Sequence, residues 1–101
     1  MINNRRSEIE IINEILNLSK KGARKTEILY QGNMSYSQIK SYLPFLIDKN
    51  IVEEYKEYNN GNSTIMYKTT IKGLELLENI RKILIHFEWY HLFTHKLRLI
   101  K

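Results

Sequence analysis

GARKTEILYQGNMSYSQIKSYLPFLIDKNIVEEY, running from Gly22 to Tyr55, holds two short helical patterns joined by a polar turn. The first, Thr26 to Tyr30, stops at Gln31-Gly32-Asn33, where glycine and asparagine accept the left-handed conformation that closes a helix. Ser35 then stands three residues before Gln38, the spacing at which each side chain satisfies a free backbone N–H at a helix start, so a second helix is expected around residues 36–48. Ile39, Leu43, Leu46 and Ile47 share one of its faces, while Tyr36, Ser37, Lys40 and Ser41 share the other. Pro44 removes the bond to the Lys40 carbonyl, which predicts a bend or a tightened last turn. The stretch reads as a helix-turn-helix.

Upstream, Ser7 and Glu10 repeat the capping spacing ahead of a helix over about Ser7 to Ser19. Ile9, Ile11, Ile12, Ile15, Leu16 and Leu18 form a wide apolar stripe on it, and Lys20-Lys21-Gly22 ends it with cations where the helix dipole favours them. Downstream, Ile51 to Tyr58 and Thr64 to Thr69 alternate like strands around Asn59 to Ser63, a turn-forming run with an Asn-Gly pair. Thr70 is placed to cap a last helix from Ile71 onward. Three helices and then a hairpin is the order of a winged helix-turn-helix. The fold class is therefore mainly α with a β-hairpin: a head over residues 1–70, followed by a C-terminal coiled-coil helix over residues 71–101.

Composition limits what such a chain does. Its 101 residues suit one small domain, and 16 Lys and Arg against 11 Asp and Glu leave a net charge of +5, which favours nucleic acid or another anionic surface over acidic ligands. The absence of cysteine excludes disulfides and thiolate chemistry, and the N-terminus lacks the apolar run of a signal peptide. The expectation is an intracellular protein in the nucleoid. There is no grouped nucleophile, base and orienting acid, no phosphate-binding glycine loop and no cofactor fingerprint, so neither an enzyme nor a cofactor is expected.

Arg5-Arg6 with the Ile-rich first helix, the run through Lys25-Thr26, Asn33, Ser35-Tyr36 and Tyr42-Leu43, and the Tyr67-x-x-Thr70-x-x-Gly73 lead-in to the last helix resemble one known group. These are the archaeal winged-helix proteins typified by the ten-kilodalton chromatin-associated DNA-binding proteins of the Sulfolobales; small winged-helix proteins of archaeal viruses are similar. The resemblance covers nearly the whole chain. It implies double-stranded DNA binding by a homodimer whose C-terminal helices pair as an antiparallel coiled coil. Glu53, Glu54 and Glu57 depart from that picture, because an acidic strand in the wing weighs against wing contacts to phosphate.

The residues make their own case. In a helix-turn-helix the second helix enters the major groove by its N-terminal part, which places Tyr36, Ser37, Lys40 and Ser41 against bases or flanking phosphates. Gln38 is drawn into capping. Arg24 and Lys25 lie at the start of the preceding helix, where phosphates meet cations and helix N-termini. No residue on this face makes the bidentate arginine–guanine pair, so limited sequence preference is expected, with chromatin association and transcriptional regulation both open. Tyr55, Tyr58 and Tyr67 could stack RNA bases, but cross-strand packing is the simpler reading. The competing class is a winged-helix protein-interaction module whose basic charge is incidental.

Leu76, Ile80, Ile83, Phe87, Tyr90, Thr94 and Leu97 alternate at four and three residues, the seam of a coiled coil. A homodimer through Leu76, Ile80, Ile83, Phe87, Tyr90 and Leu97 is expected; folding of the helix back on its own head is the alternative. His86, Glu88 and His91 interrupt the apolar run well short of a membrane span. His91 and His95, with Glu88 one turn before, share a face, but without a fourth ligand in view they read as exposed polar residues rather than a metal site.

Overall fold

The computed structural model describes the backbone of residues 7–100 and the side chains of residues 7–86. Its elements follow the order α1 (Glu8–Leu18), α2 (Lys25–Gln31), α3 (Tyr36–Asp48), β1 (Val52–Asn59), β2 (Asn62–Thr69) and α4 (Ile71–Ile100). Local chemistry sets most of the boundaries. Ser7 caps α1 and Ser35 caps α3, each in a reciprocal box with Glu10 or Gln38. Gln38 is thus committed to the cap, as the sequence reading has it.

The ends of α2 and α3 are built alike. After α2, the Asn33 N–H donates to the Tyr30 carbonyl and the Met34 N–H to the Leu29 carbonyl; after α3, Asn50 donates to Ile47 and Ile51 to Leu46. These paired bonds close a helix through a left-handed residue, and the residues are Asn33 (φ 51°) and Asn50 (φ 62°). In the Gly32-Asn33 pair the asparagine therefore makes the turn. Gly32 stays right-handed, and a Cβ there would press on the Ile28 carbonyl and Met34. Pro44 lies inside α3, which runs unbroken through it.

The wing is tighter than expected. β1 and β2 pair from Val52–Thr69 to Asn59–Asn62, leaving a two-residue turn, Asn60-Gly61, with both φ angles positive (52° and 82°). Ile51 stays outside the strand and is buried. A single residue, Ala23, adds a third rung beyond β2, exchanging two 2.8 Å backbone bonds with Tyr67. The Thr69 N–H donates to the Ser19 carbonyl, and its hydroxyl to the Leu16 carbonyl. The wing is stitched to the end of α1.

One core joins these pieces. Ile11, Ile15 and Leu16 of α1, Ile28 of α2, Ile39, Leu43 and Leu46 of α3, and Val52 and Tyr67 of the wing close around each other, and Leu77 of α4 joins them. Leu76 packs against the same cluster. The expected apolar face of α3 is the buried one.

Candidate nucleic-acid interface

α3 buries Ile39, Leu43 and Leu46, and this turns the opposite side of the helix outward. Tyr36 (66% exposed), Ser37, Lys40 and Ser41 all lie on the exposed part, with Pro44, Phe45 and Asp48 continuing it toward the C-terminus. The Ser37 hydroxyl is 3.1 Å from that of Ser35, so it is partly engaged by the cap. An open groove of about 450 Å³ runs along one flank of α3, lined by Lys25, Lys40, Leu43, Pro44, Glu54 and Tyr67 among others. The structure brings Lys25 of α2 to the same groove as Lys40.

Arg24 is placed differently. It precedes α2 in an extended conformation, its backbone N–H donates to Glu27 Oε1 at 2.8 Å, and its guanidinium lies 3.5 Å from the same oxygen. Arginine has no acceptor to return the bond, so only half of a capping box forms. The Arg24 backbone N–H holds the Glu27 carboxyl below its ordinary value; burial opposes it, and the Arg24 charge adds a lesser push in the same direction as the N–H. The Arg24 side chain is exposed and that of Glu27 half-exposed, which leaves the guanidinium able to exchange Glu27 for another anion.

The wing separates its charges by face. Directly paired residues share a side, so Val52 and Thr69, Glu54 and Tyr67, Lys56 and Ile65, and Tyr58 and Ser63 lie together. Val52, Thr69 and Tyr67 are buried, which makes this the face turned toward the core and α3; Lys56, Tyr58 and Ile65 extend it, exposed, toward the tip. Glu53 and Glu57 fall on the other face with Lys68, Tyr55 and Met66. Of the three acids that weighed against the wing, only Glu54 lies on the side of α3. Burial, and then the neighbouring Glu54 charge, push the Tyr67 phenol above its ordinary value. Of the three tyrosines, Tyr67 is core, Tyr55 is half-buried over Gly22, and Tyr58 is exposed.

Three residues were missed by the sequence reading. Phe45 is 50% exposed, Lys49 holds its ammonium 5.9 Å from the Phe45 ring centre, and Lys56 occupies the wing face just described. For Phe45 the signal was present, since it falls outside the Ile39-Leu43-Leu46 stripe at 3.6-residue spacing.

A family model described as winged helix-turn-helix matches residues 5–86. The chain belongs to the winged helix-turn-helix family. A protein of Methanocaldococcus jannaschii is 37% identical over 54 residues, which span 52% of this chain and 56%, little more than half, of that relative. Among solved structures, the DNA-binding protein Sso10a-2 of Sulfolobus solfataricus superposes with a TM-score of 0.76 at 21% identity, covering 94% of this chain and 96% of that one. A protein of Streptococcus mutans, smu.1704, also reaches 0.76, at 17% identity over 86% of this chain and 87% of its own. A PadR family transcriptional regulator of Eggerthella lenta reaches 0.56 at 14% identity, covering 90% and 81%. At these identities the structural likeness is one of fold.

In this winged helix-turn-helix chain the expected dimer residues divide. Leu76 is half-buried against the head and Ile80 is 7% exposed within the single chain, whereas Ile83 is 43% exposed. Phe87, Tyr90 and Leu97, like the Glu88, His91 and His95 group, lie outside the described side chains, and Arg5 and Arg6 lie outside the described residues. Among the described residues no cluster of three or more metal-ligating side chains forms, and no helix is long and apolar enough to cross a membrane.

Proposed function

We propose that this protein binds double-stranded DNA by laying the exposed face of α3, around residues 36–48, in the major groove, with its N-terminal part deepest. The observation that carries this reading is the outward face of α3, with Lys40 on it and Lys25 beside it across the shared groove. Tyr36, Ser37 and Ser41 offer hydroxyls to bases or phosphates, and Arg24 reaches a flanking phosphate once it leaves Glu27. Lys56 and Tyr58 bring the near face of the wing to the same duplex, while Glu53 and Glu57 point away from it. The DNA-binding and regulatory descriptions of the structural neighbours support the same reading. Two heads joined through α4, at Leu76, Ile80, Ile83, Phe87, Tyr90 and Leu97, complete the proposed binding unit, an intracellular homodimer associated with the nucleoid as a chromatin protein or a regulator of transcription.

A fluorescence-anisotropy titration with unrelated duplexes at two salt concentrations tests the reading. Phosphate contacts by Arg24, Lys25, Lys40, Lys49 and Lys56 give a slope of about −4.5 in log affinity against log salt for each head, or about a five-hundredfold loss between 50 and 200 mM. Affinity that ignores salt, or no binding at 50 mM, favours the protein-interaction module instead.

A further inference from the structure

We propose that α3 reads the C5-methyl groups of thymine through the exposed ring of Phe45, with Pro44 beside it. The inference rests on the DNA reading above and names what that face recognises. Single exposed apolar residues are ordinary on protein surfaces. Phe45 differs in its setting: it stands on the outward side of α3, one turn past Ser41 and next to exposed Pro44.

Beyond Lys40 and the hydroxyls of Tyr36 and Ser41, the polar side chains in the first half of that face are already engaged. Gln38, the one amide in α3, is held by the Ser35 cap, the Ser37 hydroxyl is shared with Ser35, and α3 contains no arginine. Bidentate recognition of adenine by an amide, or of guanine by an arginine, therefore has no donor here, and Lys40 is left as the side chain of this face that can reach guanine. What remains in quantity is apolar surface, and in the major groove the apolar mark that separates one base from the others is the thymine methyl. Lys49 is consistent with the assignment: its ammonium lies 5.9 Å from the Phe45 ring centre, which puts a cation close to the ring for a backbone phosphate to meet.

The chemical consequence is a preference for thymine-containing sites that depends on the methyl group rather than on hydrogen bonding. Replacing every thymine by uracil removes those methyls and leaves the base-pair hydrogen bonds intact. The full-length protein is titrated against an A·T-rich duplex, its uracil counterpart, and a G·C duplex with and without 5-methylcytosine, which restores a methyl at the same position on the base. Each methyl withdrawn from water contributes about fourfold, so the thymine duplex is expected to bind about fourfold or more tighter than the uracil duplex, with methylated cytosine shifting affinity the same way. In Phe45→Ala the thymine-to-uracil ratio falls to about one. Equal affinity for thymine and uracil duplexes overturns the methyl assignment while DNA binding stands. A ratio unchanged in Phe45→Ala overturns the role of the ring. Failure to bind any of the four duplexes removes the DNA reading itself. The comparison on the parent protein needs no variant, and the thermal melt of Phe45→Ala confirms that its head is folded.

Discussion

Lys40 and Leu43 are three residues apart on α3, yet one is exposed and the other 2% exposed in the core. Truncation at each should therefore have opposite consequences. Lys40→Ala is expected to weaken duplex binding by about 1 kcal/mol or more without changing the melting temperature, as for loss of a groove or phosphate contact. Leu43→Ala is expected to destabilise the head by about 2 to 5 kcal/mol, since it truncates a nearly fully buried core side chain. Anisotropy and thermal melts of the two variants check both, and normal binding by Lys40→Ala would remove it from the interface. Glu27 makes a pH-dependent contribution of known sign. Its folded carboxyl titrates below the usual range because it accepts the Arg24 N–H, so the stabilisation is complete above the unfolded carboxylate range and is lost as pH falls through the folded value. The gap in melting temperature between the parent and Glu27→Ala should thus close on acidification; a gap independent of pH would show that the carboxylate is not the capping group.

The Tyr67-x-x-Thr70-x-x-Gly73 lead-in has a physical account at the level of elements. Tyr67 forms the rung with Ala23, the Thr70 hydroxyl accepts the Gly73 N–H at 3.0 Å and donates to the Asn50 carbonyl at 2.7 Å, and Gly73 lets α4 pass under the Ile51 carbonyl with no Cβ between them. Lys72 adds a bond from its ammonium to the Lys49 carbonyl. Glycine to alanine inside a helix ordinarily gains about 1 kcal/mol. Here the new methyl would collide with backbone, a cost of about 1 to 3 kcal/mol that outweighs the gain. Gly73→Ala is expected to lower stability in urea unfolding; a stabilised variant would mean that α4 can shift without loss. The caps, the apolar stripes and the hairpin were legible in the sequence because each depends on residues three or four apart, or on a local Asn-Gly pair. The rung between Ala23 and Tyr67 was not, because one residue paired across 44 positions leaves no periodic trace. The sorting of Glu53 and Glu57 away from α3 was hidden for a related reason: alternation separates two faces, but only the register with β2 tells which one meets the core.

The whole molecule turns on what covers α4. Its first turns are accounted for within the chain, with Leu76 and Leu77 packed against the head core and Ile80 nearly covered. Coverage then fails. Ile83 and Ile85 are exposed, and the sequence continues with Phe87, Trp89, Tyr90, Leu92 and Phe93, more apolar residues than a single head of this size can bury. The four-three spacing from Leu76 to Leu97 would suit a helical partner with the same spacing, and a second copy is the partner proposed. If the copies run antiparallel, the helix between those residues is about 33 Å long, close to the roughly 34 Å between successive major-groove faces on one side of a duplex. Two α3 helices held that far apart could occupy one DNA together, which would double the number of phosphate contacts and steepen the salt dependence accordingly. Sedimentation of the full chain beside Ile83→Glu decides the point, because a carboxylate in a dry seam cannot stay paired with hydrocarbon while an exposed isoleucine tolerates it. The parent is expected to sediment as a dimer with a melting temperature that rises with concentration, and the variant as a folded monomer. A monomeric parent, or an Ile83→Glu chain that still sediments as a dimer, would place the interface elsewhere.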